Sequence, residues 1–175
     1  DGRVDGRLTL SPMEGGSPAL DGTLKIDINS MAFLELITSE VSNTQGSLHA
    51  DYTIAGTLDA PRVNGALTLA DFATEVPTAG LKLSDGSVRL RATDSEHFEI
   101  DGSLTSGSGT LSIAGQGELA MRAPLTLSIK GENFLAAAIP AAKVFISPDL
   151  SIERTADGVS VSGKITIPTA DVDLA

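Results

Sequence analysis

No cysteine occurs among the 175 residues, so neither a disulfide framework nor a thiolate metal site organises this chain. Aromatic residues are scarce: five Phe, one Tyr and no Trp. A transmembrane barrel uses aromatic girdles at both interfaces, and this composition argues against one. Basic residues are outnumbered, with 12 Lys and Arg against 23 Asp and Glu, for a formal net charge of −11. An acidic chain repels phosphate backbones, which argues against nucleic acid as a partner. No signal peptide is visible, and no apolar run approaches the ~20 residues of a membrane-spanning helix. The chain starts within an apparent repeat and stops just after a strand pattern, and it reads as one β-rich segment, 1–175, of a larger protein.

Catalytic chemistry is equally sparse. His49 and His97 are far apart, each on the polar side of an alternating run, and neither has a second metal ligand at useful spacing. Glu99 and Asp101 alternate with Phe98 and Ile100 as a solvated strand face does. With Asp94 and Glu96 they form an acidic stretch that lacks the Asp/Asn/Gly order of a calcium loop. Gly107-Ser108-Gly109 lies between strand patterns and reads as a turn, not a phosphate cradle. No catalytic residue, metal site or cofactor is assigned, and the chain is expected to be non-enzymatic.

What the chain has in quantity is period-two alternation. Leu48, Ala50, Tyr52, Ile54, Gly56 and Leu58 fall on one face, and His49, Asp51, Thr53, Ala55 and Thr57 on the other. Val63, Gly65, Leu67 and Leu69 repeat the pattern, and further runs occur at 20–28, 81–83, 88–90, 98–104, 111–113, 125–129, 150–152 and 159–167. Successive side chains of a strand point to opposite sides, so each run has one apolar and one polar face. Asp85-Gly86, Asp157-Gly158, Gly107-Ser108-Gly109 and Ala60-Pro61 read as turns between runs. The pattern predicts roughly ten to twelve strands in an antiparallel meander. Asn29 or Ser30 caps one short helix to about Ile37, and 133–142 is expected to be irregular.

An amphipathic sheet must cover its apolar face. A closed β-sandwich does so with a second sheet, which is the usual outcome. The other solution is a long curved sheet whose concave apolar face lines an open groove. Periodicity does not choose between them.

A resemblance bears on that choice. Gly56-Thr57-Leu58-Asp59-Ala60-Pro61-Arg62-Val63-Asn64-Gly65-Ala66-Leu67-Thr68-Leu69 resembles the repeat of TamB and its AsmA-like relatives. Gly131-Glu132-Asn133-Phe134, Ser147-Pro148-Asp149-Leu150-Ser151-Ile152 and Gly163-Lys164-Ile165-Thr166-Ile167-Pro168-Thr169-Ala170 are similar to the C-terminal part of that family. The resemblance implies a β-groove in a periplasmic segment of an inner-membrane-anchored protein of a Gram-negative bacterium. It also implies partnership, through regions outside this segment, with an outer-membrane barrel of the TamA type. The implied function is to shield phospholipid acyl chains in transfer between the two membranes. The alternative is chaperone-like holding of unfolded outer-membrane or autotransporter strands. Candidate lining residues are Leu48, Tyr52, Ile54, Leu58, Leu67, Leu69, Val88, Leu90, Ile100, Ile113, Leu125, Leu127, Ile129, Val161, Ile165 and Ile167.

Overall fold

Alternation of aliphatic with Ser, Thr and charged residues disfavours helix and lets each segment pair edge to edge with its neighbour. The computed structural model of the chain describes residues 2–92, 96–119, 123–155 and 158–173. Two strands, β1 (Gly2–Ser11) and β2 (Ala19–Ile28), precede the one short helix, α1 (Leu34–Ile37). Long strands β3 (Ser42–Gly56), β4 (Pro61–Val76) and β5 (Leu81–Ala92) follow, then β6 (His97–Ser106), β7 (Gly109–Glu118) and β8 (Leu125–Glu132). The chain finishes with β9 (Phe134–Ile139), β10 (Ala142–Thr155) and β11 (Gly158–Val172).

All eleven strands belong to one antiparallel sheet, in the order β1-β2-β3-β4-β5-β6-β7-β8-β10-β11, with β9 paired to β10. The sheet is a meander, neither closed into a barrel nor split into two layers. That excludes the sandwich as the way the face is covered. The exposed surface says the same: 10844 Å², against about 8,000 Å² for a compact protein of this mass.

Sequence-level expectations hold for most elements. The helical break is a 3₁₀ turn, Met31–Phe33, running into α1, and Ser30 caps it by accepting the Ala32 amide N–H. Two regions differ. Asp85-Gly86 does not separate strands; it lies inside β5, where Asp85 takes φ 52° and makes a bulge. The run Phe134–Ile139 is a strand rather than irregular structure. Asn133 adopts φ 48°, a left-handed conformation that Asn tolerates, and donates its N–H to Ser147 Oγ at 3.0 Å. The kink redirects the chain so that an alanine run of high helix propensity pairs with β10 instead, through Ala137 and Ala138. Of the other turn signals, Gly107-Ser108 joins β6 to β7 and Ala60 precedes β4, whereas Asp157 lies outside the described residues.

Candidate functional site

Register decides which side chains share a face. Leu24 stands opposite Tyr52, Ile26 opposite Ala50, and Ile28 opposite Leu48. Leu48 pairs with Leu69, Ala50 with Leu67 and Ile54 with Val63. Leu67 then meets Leu90, and Leu69 meets Val88. Leu90 faces Ile100, and Ile113 faces Ile129. Ile129 meets Leu150, Leu127 meets Ile152, and Ile152 meets Val161. Directly paired residues lie on the same side of a sheet, so these rows join into one apolar face running from β1 to β11.

That face is a trough with almost no core of its own. Among the described residues, the buried apolar side chains are Met31, Ala50, Ala123 and Phe134. The Leu, Ile and Val of the interior strands are half-buried, because lateral neighbours shield them while nothing lies above most of them. Towards the sheet edges the shielding falls, to 62% exposure at Val4 and 64% at Val161. A cleft of about 300 Å³ is lined wholly by apolar residues from five strands and one connection: Leu24, Tyr52, Ile54, Val63, Leu90, Ala92, Phe98 and Leu119.

Tyr52 fixes part of the trough floor. Its cross-strand partner is Gly65, at φ 140°, where an added Cβ would fall 2.8 Å from the Tyr52 ring. The ring therefore lies across β4, and its hydroxyl donates to the Leu90 carbonyl on β5 at 3.0 Å. Partial burial raises the phenol pKa above its ordinary value, and a backbone hydrogen bond involving Leu67 works against that rise. The one tyrosine thus turns its polar atom to the backbone and its ring to the trough.

Fourteen of the sixteen candidate lining residues lie on this face, which is enough to make it continuous. Leu58 does not share a strand with the others; Gly56 at φ 94° ends β3, and Leu58 sits in the connection with its amide bonded to the Pro18 carbonyl. Ile167 lies within the register shift between the Phe145–Thr169 and Ser147–Thr166 pairs. Leu24, Val63, Phe98, Leu150 and Ile152 share the face without having been singled out, although the same alternation marks them.

Three polar residues on the same side escaped sequence reading altogether. Thr44, Thr74 and Ser106 are 4%, 4% and 0% exposed. Thr74 pairs with Leu83, and Leu83 with Ser106. A bulge at Asp71 switches the inward parity of β4 and brings Thr74 to the trough side, a bulge at Asp85 does the same for Leu83 on β5, and Ser106 continues the inward series Ile100, Gly102, Leu104 on β6. The available signal was the Asp at each of the two points where the apolar alternation changes phase.

The opposite face is polar and charged. His49 Nδ1 lies 3.2 Å from Asp27, and Lys25 lies 3.8 Å from Asp51. Glu99 and Asp101 stand opposite Arg91 and Arg89 in register, so this acidic stretch is matched by basic partners across the sheet. Of its other two members, Glu96 borders a cleft with Met13, Asp59 and Glu118, and Asp94 lies outside the described residues. His97 borders a separate cleft with Glu99, Gln116 and Glu118.

Comparison with known proteins fits this architecture. Residues 1–69 match the family model of the TamB N-terminal domain, and residues 96–175 match that of the TamB C-terminal domain. The chain is 22% identical over 175 residues to the translocation and assembly module subunit TamB of Haemophilus influenzae. That alignment spans 99% of this chain but 13% of the relative's length. No solved structure matches the chain significantly. With two models of one family meeting on a single uninterrupted sheet, the chain belongs to the TamB family.

Proposed function

We propose that this chain is a non-catalytic segment of a TamB-like envelope protein of a Gram-negative bacterium, acting in the assembly of the outer membrane. Its trough shields phospholipid acyl chains on their way between the inner and outer membranes. In this reading the parent protein is periplasmic, anchored in the inner membrane and partnered with a TamA-type outer-membrane barrel, both through regions outside the segment. The supporting observation is the single uncovered apolar face that register carries across the sheet.

The energetics give the trough a purpose. A diacyl lipid exposes on the order of thirty methylene groups to water, at ~0.8 kcal/mol each, so an unassisted crossing costs tens of kcal/mol. A trough of Leu, Ile and Val offsets most of that cost. It also offers few directional contacts, which leaves a hydrocarbon chain free to slide.

The test is made in the full-length parent protein. Mass spectrometry of what co-purifies in mild detergent is expected to find phospholipid with the native protein and little with Leu127→Asp. Circular dichroism should show the variant folded. Normal lipid occupancy of a folded Leu127→Asp protein would contradict the reading.

One observation favours a second reading, in which the segment holds an unfolded strand. The outer edge of β11 is unpaired among the described residues, and all fifteen of its residues are exposed. Such an edge accepts an added strand. Photo-crosslinkers placed at Val161 and at Leu67 separate the two readings: protein adducts at Val161 support strand holding, and lipid adducts at Leu67 support shielding.

A further inference from the structure

We infer that from β3 to β7 one long side of the trough is sealed by the chain itself, so that along this stretch a guest enters, leaves and keeps its polar head only at the opposite side. The inference rests on the acyl-chain reading above and adds an orientation to it.

Every strand but β9 runs from one side of the trough to the other. On one side lie the ends marked by Ile28, Val76, Leu81, Ser106 and Gly109. Three pieces cover this side in series. The first is the 3₁₀ turn with α1: Met31 is buried, and the Glu35 carboxylate accepts the Thr44 amide N–H at 2.6 Å. Glu40 links it to the second piece, the Pro77–Ala79 turn, by accepting the Thr78 hydroxyl at 3.2 Å. The third is β9, which leaves the line of β8 at Asn133 and passes over the ends of β7, β6 and β5 to reach that same turn.

Two contacts place β9 on the trough side of the sheet. Ser106 and Gly109 are paired, two residues beyond the inward pair Leu104–Leu111, so both face the trough. The Ser106 hydroxyl donates to the Leu135 carbonyl at 2.8 Å. An added Cβ at Gly109 would overlap the Asn133 carbonyl, so the crossing chain lies directly on it. Beneath the cover the polar groups are satisfied internally: Thr44 and Thr74 share a hydrogen bond of 2.8 Å, and Ser106 is fully buried. A row of sealed hydroxyls offers nothing to a lipid tail and nothing to its head.

The other side is built differently. The apolar cleft ends there at Ala92, Phe98 and Leu119. Next to it a cleft of about 610 Å³ is lined by Met13, Asp59, Arg62 and Glu118 among others. Met13 is 53% and Leu58 48% exposed on this side. Apolar floor therefore gives way directly to a wet, mixed-polarity border, which is the boundary an amphipathic molecule occupies.

The test is made in the full-length parent protein, with any cysteine outside this cysteine-free segment replaced by serine, so that a single introduced thiol carries a bimane label without competition. Three variants place it at the open side (Ala60→Cys), the covered side (Ser108→Cys) and the floor (Ile113→Cys). Each is incubated with phosphatidylcholine vesicles carrying a nitroxide on either the headgroup or the acyl chain, then separated from them before fluorescence is read. Acyl nitroxide is expected to quench Ile113→Cys. Headgroup nitroxide is expected to quench Ala60→Cys several-fold more than Ser108→Cys. Equal headgroup quenching at both sides, or stronger quenching at Ser108→Cys, overturns the orientation and leaves the acyl-chain reading standing. No acyl quenching at Ile113→Cys overturns both.

Discussion

Tyr52 carries two roles in one side chain, and removing its hydroxyl separates them. Tyr52→Phe keeps the ring over Gly65 and loses the bond to the Leu90 carbonyl, a change expected to cost about 0.5–1.5 kcal/mol in urea unfolding. The phenol pKa is raised in the folded state, so the folded chain holds this proton more tightly than the unfolded one. Its stabilising contribution is complete below the unfolded value near 10 and declines as pH rises through the folded value. Native Tyr52 protein is therefore expected to lose stability in that alkaline window more steeply than Tyr52→Phe. Parallel alkaline profiles would show that burial of this phenol is immaterial. A second residue-scale test falls on Gly115, which lies between Ile100 and Leu127. An added Cβ there meets the Thr126 carbonyl oxygen at 2.6 Å, Leu127 Cδ1 at 2.7 Å and Ile100 Cγ2 at 3.3 Å. Gly115→Val is expected to destabilise by about 1–3 kcal/mol through overpacking, measured by the same unfolding curve. Large residues facing glycines were legible as Gly-x-Leu alternation. The inward turn of Thr74 was not, because an extended segment gives no sign of a bulge except an Asp that also suits a turn.

At the scale of elements, β9 shows how pairing overrides propensity. Phe134-Leu135-Ala136-Ala137-Ala138-Ile139 carries no alternation, so nothing local marks it as a strand. Its conformation is set by β10 on one side and by the kink at Asn133. Asn133→Val places a β-branched residue in left-handed backbone, and is expected to cost roughly 1–2 kcal/mol and to raise amide exchange in β9. Asn133→Gly is expected to leave exchange close to native. Equal exchange in both variants would remove the kink from the explanation. β11 is the opposite case, a strand whose alternation is plain but whose surroundings are not. Val159, Val161 and Ile165 are 67%, 64% and 56% exposed along an unpaired edge. Aliphatic edges associate. Val161→Lys is expected to lower self-association in sedimentation velocity while leaving the melting temperature unchanged. Unchanged self-association would mean that the edge is protected by other means.

For the whole molecule, the sheet was legible because period two persists through nearly every segment, and because an antiparallel meander pairs consecutive runs. The choice between sandwich and open trough was not legible, since both present the same alternation. What distinguishes them is whether anything stands over Leu67, Leu90, Ile113 and Leu127, and among the described residues these are half-buried by lateral neighbours alone. The partial cover by β9 was equally hidden, because it depends on the left-handed kink at Asn133. Everything functional follows from the uncovered part. The most direct measurement is thiol reactivity of single cysteines at Leu90, Ile113 and Leu127, with and without phospholipid, using Ser106→Cys beneath the cover for comparison. Fast modification is expected at the three trough positions, slow modification at the fully buried Ser106→Cys, and protection of the three by added phospholipid. Slow modification at the trough positions in lipid-free protein, or fast modification that phospholipid leaves unchanged, would contradict it.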